Sequence, residues 1–261
     1  MMASGAIKVF KIGGNVVDNP TALADFVKDF AKIPGKKILV HGGGKEATRL
    51  SRSLGIETKM IDGRRVTDRE TLGVVTMVYS GLVNKRVVSL LEAQGVRALG
   101  LTGADCDIIR AVRRAPEPVD YGYVGDISPE DVDTGLVSCF LDMGITPVFC
   151  AIMHDGKGEL LNCNADGVAS AIAIAMSASE PLELIYCFEK DGVLRDVENP
   201  DSLIETIDSD SYSRLRDEGT IFQGMIPKID NAFKAIEKGV RRVIIKNSKN
   251  VAVERGTAII A

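Results

Sequence analysis

Cysteine and histidine are scarce in this chain of 261 residues, and each scarcity narrows the chemistry it can perform. The five cysteines, Cys106, Cys139, Cys150, Cys163 and Cys187, form no C-x-x-C pair and are odd in number, so neither a disulfide framework nor a zinc site is expected. Most stand in apolar runs, where cysteine serves as a small core residue. Only two histidines occur, His41 and His154, and no nucleophile constellation is built on them. His41, at a strand end, reads as structural. Basic clusters are missing too: nothing is denser than Arg113-Arg114 or Arg241-Arg242, and the net charge is -4, which argues against a nucleic-acid surface. No apolar run approaches 18 residues, and a strand at Ile7 follows the first residues directly, so neither a membrane span nor a secretory leader is expected. These absences point to a reduced, cytoplasmic, soluble protein with a small-molecule partner. At 45% apolar and 26% charged the composition is that of a globular protein, long enough for one large α/β domain or two lobes.

What is present is concentrated between Lys36 and Glu46, reading Lys-Lys-Ile-Leu-Val-His-Gly-Gly-Gly-Lys-Glu. Ile38, Leu39 and Val40 form a short run of strand formers that ends in Gly42, Gly43 and Gly44. Helix formers follow from Glu46 to Leu54, with Ala47, Leu50 and Leu54 on one face and Gly55 as a C-terminal cap. Glycines at a strand-to-helix turn let a ligand reach the backbone, and the helix N-terminus offers unpaired N–H groups to an anion. The pattern suits a phosphate or carboxylate cradle, and equally a tight turn required by packing alone. It is not a P-loop, since Leu39 and Glu46 stand where Gly and Ser or Thr are required. It does satisfy G-x-G-x-x-A through Gly42, Gly44 and Ala47, with Asp62 twenty residues past the first glycine, so a dinucleotide site stays open.

Strands and helices alternate along the first half. Ile7 to Ile12 is a strand leading into Gly13 and Gly14. Pro20 opens a helix carrying Leu23, Phe26, Val27 and Phe30, and Pro34-Gly35 ends it. Such alternation predicts a parallel sheet with right-handed crossovers. Both glycine turns then fall at its C-terminal edge, where open α/β sheets bind ligands, with the cation of Lys11 beside them. Asp62-Gly63 marks a hairpin within Thr58 to Thr67. Thr67-Asp68-Arg69-Glu70 fits a capping box and opens a helix of roughly 25 residues that is apolar on most sides, hence buried by its sheet or by a second subunit. Val96 to Leu101 is a further strand, Ile108 to Val124 a hairpin, and Pro147 to Ile152 a buried strand.

Two later stretches break local rules. Asn162-Cys163-Asn164-Ala165-Asp166 precedes an Ala-rich helix, Ala165 to Ser177, and places three carboxamide or carboxylate groups where one cap suffices. Leu182 to Phe188 is a strand running into Lys190-Asp191-Gly192. In Gly224-Met225-Ile226-Pro227-Lys228, Pro227 starts a helix whose first turn carries a lysine, against the macrodipole. A rule broken locally is a candidate for function.

Taken in order, Lys11-Ile-Gly-Gly, His41-Gly-Gly-Gly, Gly63-Arg-Arg-Val-Thr, Asn162-Cys-Asn-Ala-Asp and Gly224-Met-Ile-Pro-Lys resemble the amino acid kinase family, over nearly the whole chain. The resemblance implies a three-layer α/β/α sandwich around a mainly parallel sheet. An N-terminal lobe, 1–175, would bind an acylated amino acid and dimerise; a C-terminal lobe, 176–261, would bind ATP. The activity implied is ATP-dependent phosphorylation of the γ-carboxylate of an N-acylated amino acid, N-acetyl-L-glutamate by default, with Mg²⁺. Carried over by position, Lys11 and Lys228 stabilise the phosphoryl group in flight and Asp166 orients them. Gly13, Gly14 and Gly43 offer N–H groups to the phosphates, and Gly42 and Gly43 lie near the substrate side chain. Arg65 and Asn162 hold the α-carboxylate and the acylamino group, the hairpin bearing Arg65 acting as a lid. Glu189 and Gly192 fall in the nucleotide-lobe turn, where Glu189 replaces the family's usual Asp and Ala104 stands where many members carry Lys. The short segment before Ile7 resembles the arginine-insensitive, dimeric members. Such chemistry needs no general base, because a carboxylate of pKa about 4 is already ionised at neutral pH; positioning and charge neutralisation remain.

Three rivals remain at this stage: the same chemistry on N-succinyl-L-glutamate, aspartate, carbamate or a nucleoside monophosphate; an NAD-dependent oxidoreductase using Gly42, Gly44 and Ala47; and a nucleotide sensor without turnover.

Overall fold

A computed structural model describes residues 6–196, 198–221 and 225–261. Gly224, first residue of the Gly-Met-Ile-Pro-Lys motif, lies outside the described residues. Eight strands form one sheet, ordered Thr206–Ile207, Thr257–Ile259, Arg242–Asn247, Leu182–Phe188, Ile7–Ile12, Lys37–His41, Thr146–Cys150 and Ala98–Leu101. Every neighbouring pair is parallel except Arg242–Asn247 with Thr257–Ile259. Ile7–Ile12 lies in the middle, pairing Lys11 with Tyr186 on one side and with Val40 on the other. The chain winds outward from this strand in both directions, which creates a crevice at its C-terminal end.

Side chains alternate across the strands and feed two cores, one on each face of the sheet. Val9, Val40, Leu184 and Tyr186 point to the layer of Thr134–Asp142, Ala165–Ser177 and Ile226–Glu237. Phe10, Leu39, Ile185 and Cys187 point to the layer of Pro20–Ala31 and the long helix that follows the hairpin. The three layers expected from the sequence are therefore present.

That long helix differs from expectation in two respects. Its N-cap is Asp68, whose carboxylate accepts from the Thr71 N–H, rather than Thr67. Thr67 is instead buried and pairs with Gly122. The helix is also not regular: Arg69–Thr76 and Asn84–Ala93 are α-helical, but Met77–Val83 between them is π-helical. Its 25 residues include an 18-residue window of mean hydropathy 1.3, in keeping with a helix apolar on most sides. Leu72, Val74, Val75, Val78, Val83, Val87 and Leu91 are buried in the core under the sheet, while Met77 and Leu82 are exposed on the outward side. A four-residue helix, Gly14–Val17, also follows the first strand where the sequence suggested only a turn.

A smaller four-stranded sheet, Val112–Arg113, Val124–Asp126, Leu160–Cys163 and Ile152–His154, flanks the crevice. The hairpin of Met60–Ile61 and Arg64–Arg65 turns through Asp62 and Gly63, both at positive φ, as an Asp-Gly turn requires. All five cysteines are unpaired.

Candidate functional site

Three strand ends meet at the crevice, and each brings a turn whose backbone is exposed to it. Lys11, Gly13, Gly14, Gly42, Gly43, Gly44, Arg65, Glu189, Gly192 and Lys228 line one cleft of about 620 Å³. Residues separated by most of the polypeptide are thus brought together.

The glycine turn between Lys37–His41 and the helix Gly44–Ser53 is held from beneath. His41 is fully buried, its Nδ1 2.8 Å from the Gly42 carbonyl and its Nε2 3.0 Å from Asn84 Nδ2. Burial pushes the imidazole down to about 4, so the ring is neutral. Nδ1–H then donates to Gly42, and Nε2 accepts from Asn84, which also donates to the Val148 carbonyl at 2.9 Å. Gly43 is demanded by close approach: a Cβ there would lie 2.8 Å from the Tyr79 ring, which the π-helical stretch presses against the turn. The carbonyl of Gly44 accepts from Arg65 and from Thr48 Oγ1, each at 2.9 Å. With these carbonyls occupied, the turn offers N–H groups at a helix N-terminus to an anion.

Lys11 is 8% exposed, and its Nζ lies 2.7 Å from Asp166 Oδ1. Asp166 is free for this because the cap of Ala165–Ser177 is Asn164, whose side chain accepts from the N–H groups of Asp166 and Gly167. The three crowded polar residues have therefore separated: Asn164 caps, Asp166 pairs with Lys11, and Asn162 donates to Thr67 Oγ1 at 3.0 Å. Lys228 Nζ sits 3.7 Å from the centroid of the Phe188 ring. Its pKa is lowered, first by burial and then by Lys11, with Asp166 and Glu189 pulling the other way.

Arg65 is 7% exposed, and besides Gly44 its guanidinium reaches Thr48 Oγ1 at 2.9 Å and Thr58 Oγ1 at 3.3 Å. Among the described residues no carboxylate lies within ion-pairing distance of it, which leaves a planar cation for a carboxylate ligand. Asn162 does not line this cleft; its buried side chain reaches it only through Thr67, whose hydroxyl donates to the Arg65 carbonyl at 3.0 Å. Asn15, Lys45, Thr48, Met60, Phe188 and Met225 also line the cleft and were not singled out from sequence. Thr48, four residues after Gly44 on the helix, carried the one usable signal. Asp62, needed by a dinucleotide reading at the end of the next strand, sits in the hairpin turn. Among the described residues no group of three His, Cys, Asp or Glu side chains is gathered, so a divalent cation here would depend on a ligand's own oxygens.

Lysines and glycine amides gathered at the C-terminal edge of a parallel sheet form a site suited to holding anionic groups by charge and position. The chain belongs to the amino acid kinase family, whose profile matches residues 6–247. It is 50% identical over 244 residues to an acetylglutamate kinase of Cytophaga hutchinsonii, covering 93% of this chain and 92% of that one. An acetylglutamate kinase of Bacteroides fragilis is 49% identical, with 97% and 96% covered. Among solved structures, smu.665 from Streptococcus mutans UA159 superposes with a TM-score of 0.79 at 28% identity, 98% of each chain being covered.

Proposed function

We propose that the chain is a carboxylate kinase transferring the γ-phosphoryl group of ATP to the side-chain carboxylate of N-acetyl-L-glutamate, as a step of arginine biosynthesis in the cytoplasm. The observation that carries this reading is the convergence of Lys11, paired to Asp166, and Lys228 on one glycine-lined cleft. In the step, a carboxylate oxygen of the substrate attacks the γ-phosphorus. A new O–P bond forms, the bond to the β,γ-bridging oxygen breaks, and ADP leaves with the electron pair. No proton has to be removed, so the step needs no general base. Lys11 and Lys228 offset the repulsion between the two anions, and Asp166 holds Lys11 in place. The N–H groups of Gly13, Gly14, Gly42 and Gly43 bind phosphate and carboxylate oxygens, and Arg65 takes the α-carboxylate. Asn162 acts on the acylamino group by way of the same corner. Glu189 and Gly192 belong to the nucleotide side. Mg²⁺, held by the phosphate oxygens of ATP, would supply further charge neutralisation.

The lobe 1–175 carries the amino-acid side and 176–261 the nucleotide side. The chain works as a homodimer through the outward face of the helix Arg69–Ala93. Coupled measurement of ADP release, with N-acetyl-L-glutamate and N-succinyl-L-glutamate side by side and hydroxylamine to trap the acyl phosphate, tests the reading. Turnover of the acetyl compound with hydroxamate formation is expected. Turnover of the succinyl compound alone would reassign the acyl group, and ATP binding without turnover of either would overturn the reading.

A further inference from the structure

Lys11 and Lys228 do not share their surroundings equally. Asp166 is 2.7 Å from Lys11, whereas among the described residues no carboxylate lies within ion-pairing distance of Lys228. What Lys228 touches instead is the face of Phe188, 3.7 Å from ammonium to ring centroid, and Lys11 lies 5.6 Å from the same centroid. The ring is itself held. Tyr186, two residues back on the same strand and so on the same face of the sheet, stacks on it at 6.1 Å with planes 17° apart, and its hydroxyl reaches the Asp166 carbonyl at 3.4 Å. One strand thus presents two aromatic rings, one whose hydroxyl donates to the backbone carbonyl of Asp166 and one beneath Lys228.

We infer that Phe188 is a positioning residue for phosphoryl transfer: its ring face holds the Lys228 ammonium at the cleft while leaving its charge unneutralised. The inference rests on the function proposed above. A carboxylate in the place of the ring would fix the lysine equally well, but it would cancel the charge and compete with the arriving phosphoryl oxygens for the same N–H groups. A ring quadrupole attracts the cation without adding an anion. Among the described residues Lys11 alone of the two lysines then has a carboxylate within ion-pairing distance, and the Lys228 charge stays available at the cleft for the substrates.

The test replaces Phe188 with mono-, di- and trifluorinated phenylalanine, which drain the ring face of negative potential while nearly keeping its shape. kcat should fall step by step along the series, with KM for N-acetyl-L-glutamate within about twofold of the parent. Phe188→Leu should lower kcat by about fivefold to thirtyfold, or about 1 to 2 kcal/mol at about 1.36 kcal/mol per tenfold, and Phe188→Trp should restore most of it. A flat fluorination series overturns the inference; this arm decides even if Phe188→Leu fails to fold. Placement is read without turnover from NMR of lysine-labelled protein. The ε-methylene resonance that disappears in Lys228→Arg should lie upfield through the ring current and return to the ordinary position in the trifluorinated protein only in part. An ordinary position in the parent overturns the inference whether or not the enzyme turns over. Absence of turnover with an upfield Lys228 would count against the proposed reaction instead.

Discussion

Lys228 is held partly buried against Phe188, while Lys11 reaches the cleft from the central strand with Asp166 at its side. Burial and the neighbouring Lys11 keep the Lys228 pKa below the ordinary lysine value of 10.5. A cation with a lowered pKa is fully present at low pH and is lost as pH rises through the lowered value. The kcat profile should therefore show an alkaline limb below 10.5, and in Lys228→Arg the limb due to Lys228 should be lost and the fall in residual turnover should move to higher pH, since arginine stays protonated. Lys228→Ala and Lys11→Ala should each reduce kcat by about a hundredfold to a thousandfold, the usual cost of one preorganised donor at developing charge. Steady-state kinetics across pH check both. Arg65 belongs to a different group of residues. Its fork joins the hairpin to Gly44 and Thr48, and a lysine cannot make both contacts and hold a carboxylate bidentately. Arg65→Lys should raise KM for the acylated amino acid about tenfold to a hundredfold, with a much smaller change in kcat. Equal losses in both constants would show that Arg65 acts in the transition state instead.

At the scale of elements, the glycine turn depends on a helix that is distant in sequence. Asn84, at the end of the π-helical stretch, fixes the tautomer of His41, which fixes the Gly42 carbonyl. The folded His41 pKa of about 4 lies below the ordinary 6.5, so between these values the unfolded chain binds the extra proton. Stability is then full above the ordinary value and declines as pH falls toward the folded one. Between about pH 7 and about pH 4.5, urea unfolding should show the parent losing about 2 kcal/mol more stability than His41→Gln, which has no such proton to bind. The sequence disclosed the ends of this arrangement and not its middle. Strands such as Leu182–Phe188 and the helix Ala165–Ser177 were legible because β-branched runs and caps are local signals. Lys228 and Asp166 stood out by breaking such signals. The π-helical stretch gave no sign of itself, since a shift in helical register leaves composition unchanged. Asn84 stands next to Lys85 and Arg86 in the sequence, so nothing there marked it as a buried contact. Phe188 looked like the last residue of a strand, and its role beside Lys228 depends on a helix about forty positions later.

For the whole molecule, one surface is left without a partner within the chain. Met77 is 57% exposed and Leu82 45% exposed on the outward side of the helix Arg69–Ala93, whose inward side is core. The edge strand Ala98–Leu101 has Thr146–Cys150 as its sheet neighbour, and its outer side lies beside the same helix, whose Glu92 accepts from the Ala98 N–H and whose Lys85 donates to the Gly100 carbonyl. A second copy placed about a two-fold axis would cover apolar side chains and strand edge together, because an isologous contact matches each patch with itself. Leu82→Asp places a charge at the centre of such a contact, so sedimentation velocity should find the parent dimeric at micromolar concentration and the variant largely monomeric. The cleft side chains Lys11, Arg65 and Lys228 all come from one chain, and Leu82 is not among the residues lining it. Turnover per chain should therefore survive in Leu82→Asp at low temperature, while the thermal midpoint falls with the loss of the partner. A parent that sediments as a monomer would show instead that the exposed Met77 and Leu82 face solvent.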